Sequence, residues 1–388
     1  MKTSPASTAL GGHRLARHAG LLLTLLGLAA CATTPGRHAA AAAAAPVRHV
    51  FVIVLENEPY PVTFGAQSLA PYLAHELPKQ GAMLPFYYGI GHYSLDNYIA
   101  MISGQAPNAA TQGDCKIYSE FRRSAPGLDA QGQAPGEGCI YPADVRTLAN
   151  QLDAAGFSWK GYMEDMGADP ARESDHCGHV AIGAEDYTNH ASPKDQYADK
   201  HNPFVYFHSI IDDSARCGRH VVNLDQLGHD LQRTDSTPNF VYITPNLCHD
   251  GHDAPCANGE PGGLISADAF LRQWVPRILA APAFRQDGLL VITFDEGTDA
   301  QACCGEQGLP GAAAAGQFGP GGGRTGSVLL SPFIAPGTVS NTPYNHYSLL
   351  RTVEDFFGLG HLGHAAAPGL QPFGPDVFTA AAAQRGTR

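Results

Sequence analysis

Ser94 stands two residues after His92 and three before Asn97, in the stretch Gly91-His92-Tyr93-Ser94-Leu95-Asp96-Asn97-Tyr98. A serine hydroxyl is a weak nucleophile until it is deprotonated. A divalent metal bound to its oxygen lowers its pKa and screens the approach to an anionic phosphate. Three other places supply groups that a metal needs. Glu56-Asn57-Glu58, the run Asn246 to Asp253 (NLCHDGHD) and Asp295-Glu296-Gly297 each come after an apolar stretch that stops abruptly. Acid-rich ends on three separate segments repel one another unless a cation offsets them. Helix capping would account for Asp295 or Asn57 singly, but it explains the dense His249–Asp253 group poorly. Together these residues read as a hydrolase site in which Ser94 attacks phosphorus and acidic side chains hold a metal. Asn97 would then donate its amide to a non-bridging phosphate oxygen. Ser94 also suits a helix N-cap, and the two roles are compatible. A Ser-His-Asp hydrolase is the competitor, but it requires a Gly-x-Ser-x-Gly elbow after a strand. No such elbow surrounds Ser94, and His92 need not point toward it.

The elements that must position these groups are legible as apolar runs. His49–Leu55, Phe240–Thr244, Leu289–Phe294 and Ser327–Leu330 are continuous enough to be strands covered on both faces. Amphipathic stretches between them, Leu69–Gln80, Val145–Ala155, Asp268–Ala280 and Tyr347–Phe357, predict helices. This alternation implies an α/β layered fold. In open sheets of that class, ligands sit beyond the carboxyl ends of the strands, where the acidic groups fall. His346 opens the last helix, either bonded to backbone there or presented to a metal or phosphate. Long loops at 105–140, 165–205 and 297–326 are rich in Gly, Pro, Asp and Gln. Loops of this length are usually functional or braced by disulfides.

The chain has 388 residues, 44% of them hydrophobic and 15% charged, which suits a globular protein and argues against disorder. A net charge of −12 leaves no global basic surface for nucleic acid. Arg14 and Arg17 precede an apolar run, Ala19–Ala30, too short for a permanent membrane span. Residues 1–30 therefore read as a signal peptide. Leu28-Ala29-Ala30-Cys31 resembles a bacterial lipobox, which implies acylation of Cys31; an ordinary signal peptide cut nearby is the alternative. Residues 31–46 form an Ala-rich tether and 47–388 a single domain. Export makes disulfides expected. Eight cysteines remain after Cys31. The simplest pairing joins neighbours, Cys115 with Cys139, Cys177 with Cys217 and Cys248 with Cys256. Cys303-Cys304 is left as a vicinal pair or two free thiols, and sequence alone does not fix the connectivity.

Five ordered motifs carry a resemblance that covers nearly all of the mature chain. They are Glu56-Asn57, the His92-to-Tyr98 loop with Ile102-Ser103-Gly104-Gln105, Pro245-Asn246 with Asp250-x-His252-Asp253, Asp295-Glu296-Gly297, and Asn345-His346-Tyr347-Ser348-Leu349-Leu350-Arg351-Thr352. In this order they resemble the bacterial phosphoesterase family of acid phosphatases and phospholipases C, which is similar to the alkaline phosphatase superfamily. The resemblance implies a three-layer sandwich with a central, mostly parallel sheet and helices on both faces. It implies Ser94 as the phosphorylated nucleophile and Asn97 as the phosphate-binding amide. Glu56, Asn57, Asp295 and Glu296 would form the metal site with Ser94. Asp250, His252 and His346 would belong to a second metal or phosphate region, with Asp253 a weaker candidate. Asp96 stands where many relatives carry proline. Asp295-Glu296 replaces an Asp-His pair, and this oxygen-rich set leaves calcium, magnesium, manganese and zinc open, at one or two sites.

The expected activity is that of an exported acid phosphatase on small phosphate monoesters. A phospholipase C or other phosphodiesterase is the alternative. A surface lipoprotein that only binds is the reading from another class, and the intact Ser94, Asn97, Asp295 and Glu296 weigh against it. The protein would be periplasmic or anchored to the outer membrane of a bacterium by lipid on Cys31, with no obligate protein partner evident.

Overall fold

The run HVFVIVL alternates large apolar side chains on both faces, so neither face can be left to water. In the computed structural model, which describes residues 46–305 and 321–378, this run is β1 (His49–Leu55), with all seven residues buried. Val50, Val52 and Val54 enter one apolar cluster, and Phe51, Ile53 and Leu55 enter a second. The same division recurs along Gly288–Phe294, with Leu289 and Val291 in the first cluster and Leu290, Ile292 and Phe294 in the second. A sheet with a core on each side needs a layer over each.

The other strands of its sheet are β2 (Ala82–Leu84), β3 (Trp159–Met163), β4 (Val221–Asn223), β5 (Phe240–Thr244), β6 (Gly288–Phe294), β7 (Ser327–Leu330) and β8 (Thr338–Val339). Their order across the eight-stranded sheet is β8-β2-β7-β6-β1-β5-β3-β4. β1 lies between β5 and β6 and is parallel to both, while β3 is parallel to β5 and β4. β7 runs antiparallel to β6 and β2. The helices α1 (Ser94–Ser103) and α4 (His346–Phe357) cover one face through Leu95, Ile99, Ile102, Leu349, Leu350 and Val353. Helix α3 (Gly263–Ala280) covers the other through Phe270, Leu271, Trp274 and Ile278. The fold is therefore α/β, a mixed and mostly parallel sheet between helical layers, as expected.

Several boundaries differ from the sequence reading. The helix expected over Leu69–Gln80 is only a wide turn, Tyr72–Glu76, set between Pro71 and Pro78, which restrict the backbone on either side. Helix α2 (Leu148–Ala155) starts three residues later than expected because Thr147 caps it. Thr147 N donates to Asn150 Oδ1 at 2.9 Å, and Asn150 N returns a bond to Thr147 Oγ1 at 3.4 Å. β3 has no clear signature in the sequence: Lys160 and Gly161 interrupt its apolar pattern, and Lys160 pairs with Asp230 at 2.7 Å. Helix α1 ends at Gly104, whose φ of +68° and a carbonyl, Leu362 O, 2.3 Å from where a Cβ would stand both exclude other residues.

The three neighbour disulfides form, Cys115–Cys139, Cys177–Cys217 and Cys248–Cys256, and Cys303–Cys304 is a bonded vicinal pair. No helix among the described residues is long and apolar enough to cross a membrane. The expected signal peptide and the expected lipidation at Cys31 lie outside the described residues.

Candidate active site

Because β1, β5 and β6 are parallel neighbours, the residues just beyond their carboxyl ends gather at one edge of the sheet. Backbone bonds lace the three ends together. Glu56 N donates to Asp250 O at 2.8 Å and Asp295 N to Leu55 O at 2.9 Å. Asp295 Oδ1 accepts from Asn57 N at 2.9 Å and from Glu296 N at 2.6 Å. One oxygen of Asp295 is thus spent on the turn, which is the capping role. The other oxygen is not.

Ser94 is the first residue of α1, and the cap position is Tyr93, at φ +80°, with no side-chain cap bond. The serine hydroxyl therefore does not cap the helix. It donates instead to Glu56 Oε2 at 2.6 Å. Asn57 Nδ2 donates to the same oxygen at 3.1 Å. Asp295 Oδ2 and Asp250 Oδ2 are buried with no hydrogen-bond partner among the described residues, and Glu56 Oε1 is met by His201 Nε2, at 3.3 Å. Burial, then the charge of Glu56, pushes Asp295 and Asp250 well above the usual carboxylate range. Burial also acts to raise Glu56, but His201, Lys200 and the Ser94 bond outweigh it and bring it down to about 2. Buried carboxylate oxygens without donors, beside a serine hydroxyl and an asparagine, fit a hard divalent cation. Glu56, Asn57, Ser94 and Asp295 are the residues that would hold it.

Other expected residues are placed differently. Glu296 turns from this group to pair with His92, Oε2 to Nδ1 at 2.8 Å. Burial raises it to about 7, against the lowering effect of His92. Asn97 is a strap for the nucleophile loop. Its Oδ1 accepts from Ile90 N at 2.7 Å and Gly91 N at 3.2 Å, and its Nδ2 donates to Gly91 O at 3.0 Å and Tyr93 O at 3.2 Å. Both amide hydrogens are spent on backbone, so neither is aimed at a phosphate. His346 stands behind Asp295, with Nε2 2.5 Å from Asp295 O and Nδ1 3.1 Å from Tyr87 Oη. A carbonyl only accepts, so Nε2 carries the proton and Nδ1 accepts from the tyrosine. Burial lowers His346 to about 4 and keeps it neutral. It orients Asp295 and presents no free nitrogen to a second metal. His252 is at the rim, 56% exposed in its side chain, with its ring 3.3 Å from Asp253 Oδ1. Asp250 lies inside, its Oδ1 accepting from His252 N at 2.9 Å. Asp96 packs under the loop, its Oδ2 2.5 Å from where a Cβ on Gly91 would be, so a larger residue at 91 would have to displace the Asp96 carboxyl.

Three residues that no sequence motif marks also stand here: His201, Lys200 and Asp114. His201 Nε2 is 3.3 Å from Glu56 Oε1 and its Nδ1 is 3.9 Å from Asp250 Oδ2, with its ring stacked on Tyr98. Lys200 Nζ is 3.1 Å from Asp114 Oδ2. All three arrive on long loops, and only the length of those loops hinted at a role. A separate group, Cys248, His249 and Glu260, has ligand atoms within 4.8 Å of one another. Its sulfur is held in a disulfide, however, and His249 is an imidazolium between Glu164 and Glu260, raised to about 9.

Residues 67–360 match the model of the Phosphoesterase family. A probable acid phosphatase of Kluyveromyces lactis is 25% identical over 322 residues, which is 82% of this chain and 60% of that protein. The chain spans between about half and three-fifths of the fungal acid phosphatases it matches. A phosphatidylinositol-3-phosphatase of Mycobacterium tuberculosis is 25% identical over 84% of this chain and 82% of its own length. Among solved structures, a protein in the alkaline phosphatase superfamily from Vibrio parahaemolyticus gives a TM-score of 0.46 at 11% identity, covering 81% of this chain and 68% of that one.

Proposed function

The chain belongs to the phosphoesterase family, and from that premise we propose that it is an acid phosphatase in which Ser94 is the nucleophile. The observation that carries the reading is the Ser94–Glu56 contact of 2.6 Å beside the unpartnered oxygens of Asp295 and Asp250. Ser94 Oγ forms the new bond to phosphorus as the ester oxygen leaves on the opposite side, taking up a proton as the alcohol. Water then cleaves the phosphoserine and restores the hydroxyl. A divalent cation held by Glu56, Asn57, Ser94 and Asp295 would lower the hydroxyl pKa and screen the phosphoryl charge.

The chain's own groups do the positioning. Glu56 accepts the Ser94 proton bond and fixes the direction of the oxygen. Asn97 holds the loop that presents Ser94, and His346 holds Asp295. His252, exposed at the rim beside Asp253, is the histidine placed to serve the water of the second step. Asp250 lies between the rim and Glu56. The substrate is a small phosphoester. Export, with a lipid on Cys31 anchoring the chain in a periplasmic or outer-membrane setting, is part of the same proposal.

A second reading is favoured by one relative. The Mycobacterium tuberculosis phosphatidylinositol-3-phosphatase is matched over most of its own length, which supports a phosphate carried on a lipid headgroup as substrate. The phospholipase C alternative differs in the bond cleaved. Release of p-nitrophenol from p-nitrophenyl phosphate, compared with cleavage of phosphatidylcholine and of phosphatidylinositol 3-phosphate, separates the three. Ser94→Ala is the control, and full activity in that variant sinks the mechanism.

A further inference from the structure

The start of α1 is held by an ion pair that the reading above does not use. Asp114 Oδ1 accepts from Leu95 N at 3.1 Å, and Asp114 Oδ2 meets Lys200 Nζ at 3.1 Å. Leu95 directly succeeds the nucleophile. The amide that a helix N-terminus would offer to an anion is therefore already taken by a carboxylate, and the positive charge of Lys200 is drawn to that place. Asp114 lies one residue from the Cys115–Cys139 disulfide, which fixes its loop.

Lys200 is more than a counter-ion to Asp114. Its charge is felt at Glu56, Asp250, His252 and Asp253, the groups that ring the site. An ammonium has three hydrogens to donate. One goes to Asp114, and no second acceptor lies within hydrogen-bond reach of Nζ among the described residues. The side chain is 17% exposed, so it is open on one side. A purely structural pair would be complete with Asp114 spanning the helix amide and the lysine. It would not need an ammonium with two further donors, open on one side and placed among the site's acids.

We propose that Lys200 receives the non-bridging oxygens of the phosphoryl group at Ser94, and that Asp114 is the residue that positions it. The proposal rests on the phosphatase reading. The ammonium keeps its bond to Asp114 and gives its remaining donors to the phosphate. It thereby supplies local positive charge in a chain whose net charge is −12.

The test compares Lys200→Gln, Lys200→Arg and Asp114→Asn with the native protein, assayed with p-nitrophenyl phosphate and with inorganic phosphate as competitive inhibitor. Lys200→Gln is expected to lower kcat/KM by roughly 100-fold and to weaken phosphate inhibition about 10-fold or more. Lys200→Arg restores most of the inhibition, because charge and donors return. Asp114→Asn weakens phosphate inhibition by a smaller factor with the thermal midpoint little changed. A purely structural role moves the thermal midpoint and leaves phosphate inhibition alone. Native-like phosphate inhibition in Lys200→Gln overturns the proposal. If that variant does not fold, native-like inhibition in Asp114→Asn overturns it equally. Ser94→Ala separates the two claims: activity in Ser94→Ala refutes the phosphatase mechanism, whereas an inactive Ser94→Ala with a native-like Lys200→Gln refutes only the role of Lys200.

Discussion

Ser94 Oγ and Glu56 Oε2 are 2.6 Å apart, joining the first residue of α1 to the first residue beyond the central strand. The contact sets the rotamer of the nucleophile against the end of a fully buried strand. It also places a carboxylate where a cation would share the serine oxygen. Glu56→Gln keeps the size of the side chain and an acceptor for the hydroxyl but removes the charge. Activity toward p-nitrophenyl phosphate is expected to fall on the order of 10³-fold, with bound metal lost in parallel by elemental analysis. The thermal midpoint without metal should fall at neutral pH, since His201, Lys200 and the Ser94 bond hold Glu56 ionised down to about 2 and that stabilisation goes with the charge. A variant with native activity and metal content would separate Glu56 from the chemistry.

His92 tests the competing triad. Its Nδ1 faces Glu296 at 2.8 Å and its Nε2 faces the Asp299 carbonyl at 2.9 Å. The carbonyl takes a hydrogen from Nε2 and the carboxylate takes one from Nδ1, so the ring is an imidazolium, and its pKa is raised despite burial. An imidazolium bound at both nitrogens cannot take the Ser94 proton. His92→Gln should therefore cost about 10-fold in kcat through loss of loop order, not the 10³-fold or more expected for a general base. A loss of the larger size with KM unchanged would restore the triad.

Away from the site, Glu354 gives a pH prediction with a definite sign. It is fully buried on α4, its Oε1 accepts from Leu362 N at 2.9 Å, and its Oε2 has no partner among the described residues. Burial raises it from 4.5 to about 8. A raised carboxyl holds its proton in the folded state after the unfolded chain has lost it. Its contribution to stability is therefore full below pH 4.5 and is lost as pH rises to about 8. Glu354→Gln keeps the acceptor for Leu362 and cannot ionise. Thermal unfolding should show little difference at pH 4.5, and at pH 8.5 a midpoint higher than native by about 2 °C or more. Parallel curves for the two proteins across that range would contradict the assignment.

Whether a residue's role is legible in the sequence depends on how that residue is fixed. β1, β5, β6 and β7 are continuous apolar runs, and a sheet buried on both faces has no other way to be written. Because β1, β5 and β6 are parallel neighbours, Glu56, Asp250 and Asp295 had to meet at one edge, and they do. The disulfides joined neighbours for the same local reason. The geometry departs from the sequence expectation where a side chain had two compatible partners. Asn97 could meet a phosphate or its own loop, and the loop is nearer. Glu296 could meet a metal or His92, and His92 is an ion already in place. His346 could face the site or the back of Asp295, and the turn into α4 decides it. Lys200, His201 and Asp114 were invisible because no strand end or helical period marks a residue delivered by a long loop.

The unpartnered oxygens give the last prediction, on metal removal. Asp295 Oδ2 and Asp250 Oδ2 are buried without donors among the described residues and Glu56 Oε1 is met by His201 Nε2, at 3.3 Å, so without a cation the acids face one another. Asp295 and Asp250 respond by holding protons, their pKa values being raised by burial and by Glu56. Stability of the metal-free protein must then fall as pH rises, since the unfolded chain releases those protons at ordinary carboxylate values while the folded chain retains them. A bound cation takes the place of the protons and removes that dependence. Chelation should therefore lower the thermal midpoint by several °C at pH 7.5, an effect of about 2 kcal/mol, and by much less at pH 5. Adding back calcium, magnesium, manganese and zinc separately, with the midpoint and phosphatase rate tracked together, identifies the ion that restores both. A midpoint indifferent to chelation at pH 7.5, in protein shown by elemental analysis to have lost its metal, would mean that these oxygens share protons and hold no cation.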